Sequence, residues 1–214
     1  MNNGKNNTQG MLPEPTLRRL PWYLAYVSLL HRQRVQYVSS TQISKELNVD
    51  ASQIAKDLSF LNIRGKTRIG YDVPTLVSTL NDFLGFGQMH RAVVIGCGSL
   101  GGALMQDVGL AQYGLQIVAG FDVNPQLVGH DICGTPVYHI DDMPVQMRQC
   151  QATIAIVTVP VEAAQQAADA AIACGVDAIW NFTPSRIKVP EHIITANTSI
   201  YAHLAIIYNR INNK

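Results

Sequence analysis

Apolar positions recur along this chain with two different periods, and the change of period divides it. Over residues 16–34, Leu17, Leu20, Leu24, Val27 and Leu30 fall three or four apart, the spacing of one buried helix face. Pro21 lies within that stretch and lacks the N–H an interior position needs, so it should sit in the first turn or kink the helix. Ser39 and Ser40 precede TQISKELNV, where Ser39 can cap a helix and Gln42 can reach back three residues. Asp50 and Gln53 form a second capping pair in front of ASQIAKDLSFL, whose Ile54, Leu58 and Leu61 share a stripe. A short strand over 69–73 follows. Pro74 then opens a helix through Leu84, and Gly85-Phe86-Gly87 is a hinge.

Beyond the hinge, short continuous apolar runs alternate with helical segments. Residues 92–95, 115–121, 137–140, 152–159 and 178–180 read as strands, with Asp141 capping one intervening helix and an alanine-rich helix over 161–174 closed by Gly175. Such alternation predicts an α/β domain with a doubly wound parallel sheet. A last run, 192–195, precedes a helix over 199–211. Its Ile200, Leu204, Ile207 and Ile211 recur every three or four residues, so that helix must dock on something, a partner subunit being one candidate.

The first of these runs leads directly into Gly96, Gly98 and Gly101, the pattern G-x-G-x-x-G at the start of a helix. The first glycine permits the tight turn, the second admits a pyrophosphate, and the third lets helix and strand pack closely. Ser99 and Leu100 complete the turn, where free N–H groups and the helix dipole favour an anion. The next run ends in Asp122, placed to accept hydrogen bonds from a ribose, with Val123 behind it. No arginine follows immediately, which favours NAD(H) over its 2′-phosphorylated form. Thr158, Val159 and Pro160, and then Asn181 and Phe182, end later strands and should lie at the same cofactor edge.

In the front part, two short helices joined by a tight turn form a helix-turn-helix, whose second helix would enter a DNA major groove. Ser52, Gln53, Lys56 and Ser59 face away from its apolar stripe, Gln53 being able to contact adenine through both amide atoms. Ser40 opens the preceding helix. Arg64, Lys66 and Arg68 crowd a glycine turn that reads as a wing, suited to phosphate or minor-groove contact. The formal charge of +1 conceals an asymmetry. Residues 1–90 carry ten Lys and Arg against six Asp and Glu, whereas residues 91–214 carry six against nine. A basic front half fits a polyanionic partner.

These patterns set the expected organisation: a disordered tail over 1–12, a winged-helix domain over 13–84, a linker over 85–90, a dinucleotide domain over 91–196 and a dimerisation helix over 197–214. No apolar run approaches the length of a membrane helix, and the polar start lacks a secretory signal, so a cytoplasmic protein without a membrane partner is expected. Cys97, Cys133, Cys150 and Cys174 show neither C-x-x-C pairing nor metal-like spacing, which points to free thiols and no metal. A dehydrogenase would also need a general acid or base beside the nicotinamide. His139, His192 and His203 stand isolated, and no catalytic residue is assigned. Two alternatives stay open: an NAD-dependent oxidoreductase with an N-terminal oligomerisation module, and a nucleotide-binding scaffold whose front domain binds protein.

The blocks TLRRLPWY, VSS, KDLSF, IGYDV, LGF, VVIGCGSLGGAL, GFDVNP, TVP, NFTP and VP, in that order, resemble the bacterial Rex family of redox-sensing transcriptional repressors, over nearly everything from Pro13 onward. The resemblance implies a homodimer with N-terminal winged helices, Rossmann domains and an exchanged C-terminal helix. It implies NADH and NAD as effectors, and a palindromic double-stranded operator bound when NADH is low and released when NADH binds. The chain departs from the family pattern at Ala55, where an arginine is common, and at Thr67-Arg68, where Arg-Gly is usual. Asp107 stands in place of a common tyrosine and Ser199 in place of a usual aspartate, two positions that help couple cofactor to domain orientation in the family.

Overall fold

The computed structural model describes residues 12–213. The expected tail, Leu12 apart, therefore lies outside the described residues. The chain divides into two compact units, Met1–Gly87 and Gln88–Lys214, a boundary within the expected linker.

In the first unit, α1 (Glu14–Arg32) starts two residues earlier than its periodicity predicts. Pro13 and Pro15 explain this, because proline is pre-set for a first turn in which no amide partner is needed. Of the two places expected for Pro21, the first turn is excluded: it lies inside α1, and the helix continues through it to Arg32. The strand β1 (Tyr37–Val38) leads to α2 (Ser40–Leu47), and Ser39 caps α2 with Gln42 reaching back, as its spacing predicts. Asn48 turns the chain in the left-handed region before α3 (Ala51–Ser59), capped by Asp50. The expected strand over 69–73 shrinks to β2 (Tyr71–Asp72), which pairs antiparallel with β1. Gly70 sets this limit. Its φ is +99°, and a Cβ there would stand 2.4 Å from the Val38 carbonyl oxygen, so the wing is a turn closed tightly on β1. α4 (Val73–Leu84) ends on Gly85. Leu20, Tyr23, Leu24, Val27, Ile43, Ile54, Leu58, Leu76 and Leu80 form the core of this unit.

The second unit has seven strands in the order β5-β6-β4-β3-β7-β8-β9. They are β3 (His90–Ile95), β4 (Leu115–Asp122), β5 (Asp131–Ile132), β6 (Thr135–His139), β7 (Ile154–Val157), β8 (Ala178–Asn181) and β9 (Ile194–Asn197). All pairs are parallel except β5 with β6, the edge hairpin. This is the doubly wound sheet expected from the sequence, with β3 at its centre. The helices are α5 (Ser99–Gln106), α6 (Gly109–Gln112), α7 (Met143–Cys150), α8 (Ala164–Ala173) and α9 (Ile200–Asn212). Asp141 does not cap α7. Its own N–H is accepted by His139 Nδ1 at 3.3 Å, and a 3-10 turn over Ile140–Asp142 separates β6 from α7. No residue of α9 is buried, and Ile200, Tyr201, Ile206, Ile207, Tyr208 and Ile211 are all at least half exposed.

Candidate effector cleft and nucleic-acid interface

The carboxyl ends of β3, β4 and β7 meet at a cleft of about 1250 Å³, above the 300–1000 Å³ common for ligand sites. Gly96, Gly98, Asp122, Val123, Thr158, Val159 and Pro160 line it, seven residues expected there from the sequence. The glycine turn is built as its spacing requires. Gly96 has φ +93°. A Cβ on Gly101 would stand 2.0 Å from the Gly96 carbonyl oxygen, so only hydrogen lets α5 lie against the turn. By contrast, a Cβ on Gly98 would meet nothing within 4 Å, and that open space belongs to the cleft. Gly101→Ala is accordingly expected to destabilise the second unit by about 3 kcal/mol, the upper range for overpacking, as read by urea unfolding.

Two side chains hold the turn from outside it. Thr158 Oγ1 donates to the Gly96 carbonyl at 2.6 Å. Asp122 accepts from the Cys97 N–H at 2.6 Å through one oxygen and from the Asn124 N–H at 2.8 Å through the other. Each oxygen keeps lone-pair capacity for a ribose hydroxyl. Cys97 points the other way. Its buried Sγ packs under Gly120, and burial, with the Asp122 charge adding to it, pushes the thiol up to about 12, so it stays a protonated packing group.

Five of the expected cofactor residues do not line the cleft. Ser99 and Leu100 sit in the first turn of α5, and Gly101 is buried beneath the loop. Asn181 is corrected outright. It is fully buried, its Nδ2 donates to the Ser185 carbonyl and to Asn197 Oδ1, and its Oδ1 accepts from the N–H and hydroxyl of Thr183. All four of its hydrogen-bonding positions are engaged in bracing the loop after β8. Phe182 turns towards Trp180, with ring centroids 4.6 Å apart. The sequence reading also missed part of the wall, where Ile140, Asp141, Met143, Arg148 and the alanine face of α8 extend the cleft.

In the first unit, the second helix of the helix-turn-helix is fixed by a buried carboxylate. Asp57 has a fully buried side chain and takes two hydrogen bonds from Arg19, at 2.7 and 2.8 Å. Further donors are the Tyr23 hydroxyl at 2.7 Å, Gln53 Nε2 at 2.8 Å and Thr16 Oγ1 at 3.0 Å. Burial raises the Asp57 carboxyl, but these donors, Arg19 foremost, outweigh it and hold the group below the usual carboxylate range. The sequence carries a signal for this cluster, because Asp57 falls on the same stripe as Ile54 and Leu58, where a charge requires a partner.

The expected DNA contacts divide accordingly. Lys56, Arg64 and Arg68 are exposed and make no ion pair among the described residues. Lys66 lies 5.7 Å over the Tyr37 ring, and Arg68 occupies the left-handed region (φ 65°) in the wing turn. Ser52 donates its hydroxyl to Asp50 and Ser59 to the Lys56 carbonyl, while Ser40 is half-buried at the start of α2. Gln53 meets both carboxylates. Its backbone N–H donates to Asp50 Oδ1 at 3.3 Å, as the capping pair predicts, while one N–H of its side-chain amide donates to Asp57 at 2.8 Å, so the side chain does not reach back to the cap.

Comparison with known proteins agrees with this division. Residues 11–59 match the family described as "Putative DNA-binding protein N-terminus", and residues 87–185 match "CoA binding domain". The chain is 58% identical over 201 residues to the redox-sensing transcriptional repressor Rex of Bacteroides fragilis, covering 94% of this chain and 91% of that one. Against the Bacillus subtilis protein of the same name, identity is 36%, covering 88% and 86%. Among solved structures, RSP in complex with beta-NAD+ and operator DNA matches at 31% identity with a TM-score of 0.90, over 95% of this chain and 94% of that one. RSP in complex with beta-NADH matches at a TM-score of 0.85.

Proposed function

The chain belongs to the Rex family of redox-sensing transcriptional repressors, and from that premise we propose that it binds a palindromic operator when NADH is scarce and releases it when NADH fills the cleft beside Gly98 and Asp122. NADH and NAD are then effectors and not redox substrates, and the protein acts in the cytoplasm as a homodimer. One observation carries the reading: a single chain joins a helix-turn-helix bearing unpaired exposed cations to a dinucleotide turn whose second glycine faces open space. Gly96, Gly98, Asp122, Val123, Thr158, Val159 and Pro160 are assigned to the cofactor. Ser52, Gln53, Lys56 and Ser59 are assigned to the major groove, with Arg64, Lys66 and Arg68 on the wing and Ser40 at the start of α2 contacting the backbone. The unpartnered apolar residues of α9 support its docking on a second copy.

The coupling demanded is large. Moving an operator from 99% occupied to 99% free takes about 5.5 kcal/mol of differential NADH affinity between the two states. By linkage, operator DNA weakens NADH binding by the same factor. In an operator titration at fixed salt, saturating NADH is expected to weaken DNA binding by about 10⁴-fold, the factor that this coupling sets, and NAD⁺ to weaken it much less. Equal affinity with and without NADH would defeat the reading. The positions of Asp107 and Ser199 support a different coupling route from the one the family pattern implies. Asp107 accepts the Gly109 N–H at 2.7 Å and Ser199 caps α9 through the Ala202 N–H, so both serve as local caps.

A further inference from the structure

We propose that Arg68 enters the minor groove of the operator from the tip of the wing, and that the protein keeps an arginine at this position at a cost to its own stability. This rests on the repressor reading above and deepens it. The wing turn is closed across its base: Lys66 and Gly70 exchange two backbone hydrogen bonds of 2.8 Å, and the Ile69 N–H donates to the Lys66 carbonyl at 3.0 Å. Gly70 is itself pressed against Val38, so the turn cannot relax by shifting as a whole. What the closure imposes falls on Arg68. Its φ of 65° lies in the left-handed region, which glycine enters freely and a residue with a Cβ does not. Such strain persists where the side chain has a task. Arg34 (φ 61°) shares the conformation in the turn after α1, outside the wing, so strain alone assigns nothing. At Arg68 a second observation joins it. The guanidinium is exposed and without a partner among the described residues, and the neighbouring Ile69 is 51% exposed. Arginine and apolar side chains enter a minor groove together, between its sugar walls, whereas an isoleucine gains nothing from a row of phosphates. The other wing cations stand differently. Lys66 Nζ is drawn back to 5.7 Å over the Tyr37 ring, and Arg64 precedes the closed turn, which leaves Arg68 as the cation of the tip and phosphate contact to the other two.

The two grooves carry different information. The major groove distinguishes all four base pairs, but the minor groove tells A·T from G·C by one group, the guanine amine. A guanidinium only donates, so it is satisfied by adenine N3 and thymine O2 and obstructed by that amine. The wing is therefore expected to demand A·T through a contact that the recognition helix does not share.

The test starts from the operator that the wild-type protein selects from duplexes with randomised palindromic half-sites. Each A·T pair in it is replaced in turn by diaminopurine·thymine, which keeps adenine's major-groove atoms and adds guanine's minor-groove amine. A second series uses inosine·cytosine, which presents the major groove of G·C and keeps the minor groove of A·T. At least one pair per half-site is expected to lose about tenfold in the first series and to stay within about threefold in the second. Arg68→Ala should weaken the selected operator about tenfold and abolish the amine penalty. Arg68→Gly should do the same and also raise the thermal midpoint by a few degrees, because glycine relieves the turn. Both replace an exposed side chain, so both should fold. Lys66→Ala and Arg64→Ala should instead weaken all duplexes alike, lower the salt slope and keep the penalty. A selected operator with no amine-sensitive pair overturns the inference, as does a penalty that survives in Arg68→Ala. An Arg68→Gly protein that melts no higher than the wild type overturns the stability cost. Failure of the wild-type protein to select any duplex would instead defeat the repressor reading, and the inference with it.

Discussion

Gly98→Ala is expected to lower the thermal midpoint of the protein by only a few degrees and to weaken NADH binding about 100-fold, or roughly 2.7 kcal/mol. The two halves of this result have separate causes. A methyl group at Gly98 meets no protein atom within 4 Å, and φ there is −65°, so the ligand-free fold accepts alanine at a cost of about 0.5–1 kcal/mol in helix capping. The same methyl occupies the space through which a pyrophosphate must approach the backbone. Operator affinity without NADH should be preserved, and release by NADH should move to correspondingly higher concentration. Calorimetric titration beside a melting curve checks both. If NADH binds Gly98→Ala as tightly as wild type, the dinucleotide does not lie across this turn.

Asp57→Ala should cost about 3–5 kcal/mol in the first unit, the range for removing one partner of a buried ion pair. It leaves the Arg19 guanidinium and the buried hydroxyls of Tyr23 and Thr16 without their acceptor. The pH dependence follows from the same cluster. The folded carboxyl titrates below its unfolded value near 3.9, so the unfolded state binds protons first as pH falls. Stability is therefore complete above about pH 5 and is lost below about pH 4, as the carboxyl protonates. Asp50 and Asp72, held low by the Ser52 and Thr75 donors they cap, add in the same direction. Urea unfolding of the wild type should show this acid loss, and Asp57→Ala should show a lower plateau with a shallower fall. An identical acid slope in the variant would count against the cluster as its source.

Much of the cleft was legible because its chemistry is written in local spacing. Three glycines, a following strand and a terminal acid specify a turn and a carboxylate without reference to distant chain. The capping of α2 was legible for the same reason, since Ser39 and Gln42 lie within one turn. The errors fall where a remote residue competes with the local one. Gln53 does meet Asp50 three residues away through its backbone N–H, but its side-chain amide goes to Asp57, one turn further along α3 and buried. Asn181 was read as a loop ligand because it ends a strand at the cofactor edge. Its capacity is taken by Ser185, Thr183 and Asn197, the last arriving from β9, whose pairing no local pattern announces. The wing strand was overestimated because alternation does not reveal that Gly70 must press against Val38.

The hydrogen bonds of Asp122 bear on how the cleft responds to change. One carboxylate oxygen clamps the loop at Cys97 and the other clamps its own turn at Asn124, so the Asp122 carboxylate and the glycine turn are mechanically one piece. Energies assigned to the two by separate substitutions will not sum, because losing Asp122 also loosens the turn that Gly98 belongs to. A dinucleotide held as proposed would be gripped at two points by a single lever, and a change at either end would be felt at both.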